Sequence, residues 1–439
     1  MIKYLAAFIL FLATCSAYAQ KADLLQQTKT VITHLQQKQF DSMYALFNAD
    51  MQRQLSVSDI EIMWESFTEK YDSLTDVHET SIRKKDSLWM SETKLDFVKK
   101  SFILQLSLSS DGVVCGIFFR NINVPYAPPA YINMLTFYEL KLNIAAKGIS
   151  NEGILSLPKN NVKPPLVIIV GGSGPTGMDA NSGPNKPYKD LAWALASEGV
   201  ATYRYNKRTF NKANINMKHA AEFGLKEEYG DDIKALVNYF SRSDKIDTKR
   251  IYILGHSEGG FMLPYFAKEN ANKVKGYISL AGNVSTIADM LPYQFRFLKS
   301  LNPDSTAGKI FDDYIAKAEY MQRHVKSSTV EKDSMVLGMT LYYLKDMEKH
   351  QPANLISYLN NKPFLAIQGG RDYQVPPTEL DSWKTLLKDA CCAEFKTFDK
   401  LNHVMMEGEG APNPSEYSAP ANIPEYVPLF ISGWILNQK

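Results

Sequence analysis

The sequence predicts a mostly parallel α/β sheet flanked by helices, with a helical insertion late in the chain and a small α+β domain in front. Three observations predict it. From Leu135 onward, short buried apolar runs alternate with amphipathic stretches, the pattern of a sheet covered by helices. One such run, Ile251-Tyr-Ile-Leu254, breaks into Gly255-His-Ser-Glu-Gly259 and then into helical spacing from Gly260. Before residue 120 the order is different: apolar residues first at helical spacing, then at strand spacing around the turn Ser109-Ser-Asp-Gly112.

The second observation carries the chemistry. Gly255 to Gly259 form a G-x-S-x-G between a buried strand and a helix, the context of a nucleophile elbow. The turn forces Ser257 into a strained backbone conformation, and a Cβ at either glycine would collide with it. In return, the hydroxyl stands clear of the sheet and the Glu258 amide points toward a reacting carbonyl. A serine nucleophile also needs a base, an acid and a second oxyanion donor.

The chain opens on Lys3 and the apolar run Leu5 to Ala13, then Ala17-Tyr-Ala19 before Gln20. This reads as a secretory signal peptide cleaved after Ala19, which removes Cys15 and leaves no membrane span. A secreted or periplasmic location is expected. The mature chain keeps Cys115, Cys391 and Cys392, an odd number. Adjacent cysteines rarely bridge one another, and Cys115 falls in an apolar strand. No Cys/His spacing suggests a metal site.

Residues 20–120 form the α+β domain. Helices are expected from 23 to about 80, then strands over Ser87–Phe97, Lys100–Leu108 and Val113–Arg120. His34 and His78 read as solvated. Packing, homodimerisation or shaping the active-site mouth are the roles open to this domain. Residues 121–134, with Pro125, Pro128 and Pro129, form the linker.

In the second domain, 135–439, Tyr138–Ala145 and Asn151–Leu157 form an opening hairpin. Pro165–Val170 is a buried strand that runs into Gly171-Gly-Ser-Gly-Pro-Thr-Gly177. That loop lacks the Lys-Ser/Thr of a phosphate loop and the spacing of a dinucleotide fingerprint. By position it supplies the second oxyanion amide, from Ser173 or, second, Gly174. Lys207 and Arg208, after the strand Val200–Tyr205, are candidates to touch substrate, or surface charge at a strand end. Asp231 and Asp232 read as structural carboxylates in a helix's first turn. Residues 283–360 read as a helical cap rich in Met, Tyr, Phe and Leu; its apolar stripes either line an acyl pocket or form helix core. After the strand Pro363–Gln368 comes Gly369-Gly-Arg-Asp372, where Asp372 suits a triad acid and Arg371 a loop support. After the last strand, Ala393–Phe398, comes Leu401-Asn-His403, where His403 suits the general base. His256 packs beside the nucleophile, and His219 stands before the elbow, out of triad order.

Val170-Gly-Gly-Ser-Gly-Pro175, Tyr205-Asn-Lys-Arg208, Gly255–Gly259, Gly369–Asp372 and Leu401–His403, in that order, resemble the α/β-hydrolases of the serine aminopeptidase-like and dienelactone hydrolase-related group. The first domain, by general pattern, resembles nuclear transport factor 2-like domains. Gly171 departs from the group, where many relatives carry histidine. The resemblance implies carboxylic ester hydrolysis, acetylated sugars included, with peptide cleavage in some members. It implies no cofactor. The triad would be Ser257, Asp372 and His403, with the amides of Glu258 and Ser173 as oxyanion hole. An aminopeptidase would need a carboxylate for the substrate amine; a catalytically silent binding module would usually lack the serine, the histidine or the elbow glycines.

Composition agrees with an ordinary globular protein: 439 residues, 45% hydrophobic and 22% charged, with a net charge of +2. Basic residues are interleaved with acidic ones, so no nucleic-acid partner is expected.

Overall fold

The computed structural model describes residues 20–122, 124–160, 163–211, 222–270, 272–301, 306–326 and 335–438. The proposed signal peptide, Cys15 and His219 lie outside the described residues. The chain divides into two compact units: the described residues up to Val124 with Lys299–Asp312, and Pro125–Leu298 with Asp313–Lys439.

The first unit opens with helix α1 (20–36), followed by α2 (Phe40–Ala45), α3 (Ala49–Gln54) and α4 (Val57–Tyr71). A capping box of Ser56 and Asp59 starts α4. Four antiparallel strands follow in spatial order: β1 (Leu74–Lys85), β2 (Leu88–Phe97), β3 (Ser101–Leu108) and β4 (Val114–Asn121). On β3 every second residue is buried, so Phe102, Leu104, Leu106 and Leu108 face the helices, where Trp64 and Phe67 of α4 pack. Helix was expected to about residue 80, yet the chain turns to strand at Leu74. The edge strand β1 is almost entirely exposed, so no apolar alternation marks it. His78 is not simply solvated: it lies with Asp76 and Asp96 at the sheet edge, and Lys94 Nζ, 3.0 Å from Asp96 Oδ1, supplies the cation there.

The second unit is built on an eight-stranded sheet. β5 (Phe137–Ala146) and β6 (Ile149–Pro158) form an antiparallel hairpin. Then come β7 (Leu166–Val170), α5 (Pro187–Ser197), β8 (Ala201–Tyr205), α6 (Asp231–Phe240), β9 (Ile251–His256), α7 (Glu258–Phe261), α8 (Leu263–Asn270) and β10 (Gly276–Leu280). The insertion holds α9 (Ile287–Ser300) and α10 (Thr306–Val325), of which Lys299–Asp312 belongs to the first unit, then a small hairpin of β11 (Met335–Val336) and β12 (Met339–Thr340), α11 (Leu341–Lys349) and α12 (Pro352–Leu355). β13 (Phe364–Gly369), α13 (Thr378–Leu386), β14 (Ala393–Phe398) and α14 (Tyr426–Asn437) close the chain. The strand order is β14-β13-β10-β9-β7-β8-β6-β5, parallel from β14 to β8. The central strands are buried along their whole length, as a sheet covered on both faces requires. Within the insertion, Ala288, Met321, Val325, Leu341 and Leu344 make a core of their own. Among the described residues, Met321 belongs to this helix core, whereas Tyr293, Tyr314 and Tyr320 are exposed. No described helix is long and apolar enough to cross a membrane.

One expectation about cysteine is corrected: Cys391 and Cys392 are joined to each other, leaving Cys115, half-buried on β4, as the free thiol among the described residues. The pair sits in the exposed turn before β14, where the backbone bends anyway.

Trp383 of α13 shows how a helix is fastened to the sheet. Its ring lies 5.1 Å from Phe364 of β13, and its indole N–H donates to the Gly282 carbonyl at 2.8 Å. Trp383→Ala should lower stability by about 3–5 kcal/mol, read from the urea midpoint of the far-ultraviolet circular dichroism. A loss below ~1 kcal/mol would contradict this packing account.

Candidate active site

Ser257 stands where β9 meets α7, at the carboxyl end of a strand flanked by β7 and β10. Its φ of 55° and ψ of −124° lie outside the regions that L-residues prefer. The surroundings enforce this. A Cβ at Gly255 would lie 2.1 Å from the Gly259 carbonyl oxygen, so strand and helix meet only because Gly255 has none. The loop after β7 comes equally close: a Cβ on Gly172 would stand 2.9 Å from the Ser257 Cβ.

Asp372 follows β13 and is fully buried. Its Oδ1 accepts from the amides of Gln374 at 2.8 Å and Val375 at 2.9 Å. Its Oδ2 accepts from Gln368 Nε2 at 3.0 Å and lies 2.7 Å from His403 Nδ1. A carboxylate with these neighbours only accepts, so Nδ1 carries the imidazole proton and Nε2 is left bare. Behind this pair Arg371 donates to the carbonyls of Glu409, Gly410 and Ala411 and pairs with Glu416, bracing the loop as expected. Ser257 and His403 line one cavity of about 440 Å³, with Ser173, Tyr188, Gln374 and Tyr417. Among the hydrogen bonds of the described side chains, none joins Ser257 Oγ to His403.

His256 does more than pack. Its Nε2 lies 2.8 Å from the His403 carbonyl oxygen, which can only accept, so Nε2 carries the proton. The Tyr188 hydroxyl therefore donates to Nδ1, at 2.9 Å. The ring thus fixes the backbone of the residue beside Asp372.

Lys207 and Arg208 are not placed at substrate. Both are buried, and neither lines the cavity. Lys207 Nζ donates to the Gly172 carbonyl and to Tyr229 Oη, each at 2.7 Å, and pairs with Glu228 at 2.6 Å. Arg208 pairs with the buried Asp232, which makes that carboxylate structural as expected. A buried cation must be partnered, and these partners leave nothing directed at a ligand. The Glu258 side chain, silent in the sequence, is buried too: its Oε1 accepts from Tyr343 of α11 at 2.5 Å and lies 3.0 Å from Tyr229 Oη. Burial, and then Glu228, raise its carboxyl above the usual range. Tyr188, Glu228 and Tyr229 likewise carry no local sign of these roles in the sequence. For Gln368, a polar residue at the end of the buried run of β13 is the one local signal.

The central parallel sheet, the strained serine after its middle strand, and the Asp372–His403 pair at the ends of later strands define an α/β-hydrolase. The chain belongs to the serine aminopeptidase S33 family, whose pattern matches residues 185–409; residues 28–117 match a family of unknown function, DUF3887. Esterase EstD of Thermotoga maritima is 28% identical over 414 residues, covering 94% of this chain and 95% of that protein. Among solved structures, Est1E of Butyrivibrio proteoclasticus is 19% identical, with a TM-score of 0.43 over 68% of this chain and 99% of its own. A Pyrococcus furiosus esterase, Pf2001, is 16% identical, with a TM-score of 0.44 over 72% and 97%. The protein is a carboxylic ester hydrolase.

Burial, and then His403, push the His256 imidazole from 6.5 down to about 3. On acidification the unfolded chain takes up a proton at this residue that the folded protein refuses. Stability from this group is therefore whole above pH ~6.5 and falls by about 1.4 kcal/mol per unit as pH drops toward ~3. Urea unfolding across this range should show the wild type losing stability relative to His256→Phe on acidification. Parallel pH profiles would contradict the assignment.

Proposed function

We propose that the ester hydrolysis runs through an acyl-enzyme on Ser257. His403 Nε2 takes the Ser257 proton as Oγ attacks the acyl carbon. The carbonyl oxygen becomes an oxyanion, held by the amides of Glu258 and Ser173. Collapse breaks the bond to the alcohol oxygen, which leaves with the proton from His403. A water, deprotonated by His403, then attacks the acyl carbon and releases the acid and free Ser257. Asp372 keeps the proton on Nδ1 throughout and stabilises the imidazolium.

The observation that carries this reading is the His403 Nδ1–Asp372 contact of 2.7 Å beside a cavity that Ser257 shares. Proton transfer requires Ser257 Oγ and His403 Nε2 to close to about 3 Å, a step that substrate binding completes in many enzymes. The cavity's Ser173, Thr176, Asn181, Ser182, Asn206 and Gln374 support a small acyl group on a polar alcohol, an acylated sugar among them.

Aminopeptidase action is the weaker reading. Among the described residues, Asp179 is the one acidic side chain lining the cavity. It is already bound by Arg204 and Lys186, both at 3.0 Å. Burial works to raise its carboxyl, but those bonds hold it below the usual range, so it has little left for a substrate amine. Export belongs to the same proposal: the leader supports it, and the Cys391–Cys392 bond is of a kind that persists in oxidising compartments.

Ser257→Ala should abolish turnover of p-nitrophenyl acetate. Asp372→Asn should keep the fold and lower kcat by about 10³–10⁴-fold, because the wrong imidazole tautomer then faces the serine. Steady-state kinetics with both variants checks this; an Asp372→Asn enzyme within ~10-fold of wild type would remove Asp372 from the triad.

A further inference from the structure

Lys207 makes bonds that a fold alone does not explain. Its ammonium donates to the Gly172 carbonyl and to Tyr229 Oη and pairs with Glu228. The Gly172 carbonyl accepts a second bond from the Tyr229 hydroxyl, at 2.8 Å. That carbonyl belongs to the same peptide group as the Ser173 N–H. A trans peptide is planar, with C=O and N–H on opposite sides. Gripping the carbonyl on the buried side therefore sends the N–H to the other side. Lys207 is 2% exposed and absent from the cavity wall, whereas Ser173 borders the cavity with Ser257. A cationic donor on a carbonyl also polarises the amide and strengthens its N–H as a donor.

We propose that Lys207 is a positioning residue for ester hydrolysis, which orients and polarises the Gly172–Ser173 peptide so that the Ser173 N–H meets the oxyanion. This rests on the reading of Ser173 as an oxyanion donor given above. The same network reaches the other donor. Tyr229 lies 3.0 Å from Glu258 Oε1, and the amide of Glu258 is the second proposed oxyanion contact. One buried cluster thus ties the Gly172–Ser173 peptide to the side chain of Glu258, and Tyr343 of the insertion closes it at 2.5 Å from Glu258 Oε1. Retaining a charge this deep costs stability that an apolar cluster would not, which fits a role in setting one backbone geometry.

The test compares wild type with the paired variant Lys207→Met, Glu228→Gln, which removes both charges and leaves no lone carboxylate opposite the lysine. Endpoint labelling with a fluorophosphonate counts active sites, so kcat is expressed per site. With p-nitrophenyl acetate, kcat should fall by about 10²–10³-fold while KM stays within about threefold. A trifluoromethyl ketone, whose adduct with Ser257 carries the oxyanion, should bind more weakly by the same factor. A lysine that merely supports the fold would lower the number of sites and leave kcat per site and ketone affinity unchanged, which overturns the inference. If the paired variant does not fold by circular dichroism, Tyr229→Phe takes its place. It removes one donor to the Gly172 carbonyl, and kcat per site should fall by about 10-fold at constant KM; an unchanged kcat per site overturns the inference. Ser257→Ala separates the two levels. Turnover surviving in Ser257→Ala would sink the site itself, whereas an inactive Ser257→Ala beside an unchanged Lys207 variant would sink only the role of Lys207.

Discussion

The backbone of Ser257, at a φ of 55°, is the constraint on which the rest of the catalytic unit depends. A conformation that costs of order 1–3 kcal/mol in isolation persists only where the surroundings over-determine it. Here they do so from three sides. The middle strand of the sheet delivers the serine, α7 leaves at once with no space for a Cβ on Gly255, and the loop after β7 presses Gly172 against the Ser257 Cβ. The result is a hydroxyl held at the carboxyl edge of a parallel sheet, where loops from neighbouring strands converge.

Those loops are braced by buried charge. Arg204 holds Asp179 in the loop after β7, Lys207 holds the Gly172 carbonyl, Arg208 holds Asp232, and Arg371 holds the carbonyls of 409–411 behind His403. Each cation sits in or beside a strand and reaches a loop or helix end. A loop placed this way keeps its geometry without covering the cavity, which none of the described insertion residues lines. The insertion instead acts on the site from behind, through Tyr343 on Glu258 and Gln294 on the Gln374 carbonyl at 2.8 Å.

Much of this was legible in the sequence because it is local. The G-x-S-x-G between a buried run and a helix announces the elbow, and the order Ser257, Asp372, His403 selects one aspartate and one histidine out of many. The glycine loop at 171–177 could be assigned by position alone. What escaped has no local signature. A lysine after a strand reads as surface charge or ligand contact until Glu228 and the Gly172 carbonyl are seen around it. His256 reads as packing until the His403 carbonyl is found 2.8 Å away, 147 residues along the chain. β1 carries no apolar alternation, because an exposed edge strand needs none. General geometry disfavours a bond between adjacent cysteines, and one turn overrides it at Cys391–Cys392.

The proposed chemistry requires that one serine out of all those in the chain be activated as a nucleophile. Labelling the folded protein with a fluorophosphonate, followed by peptide mass spectrometry, tests it directly. A single phosphonyl adduct is expected on the peptide that contains Ser257, absent when His403 is replaced by alanine. An adduct on another serine, or labelling indifferent to His403, would contradict it.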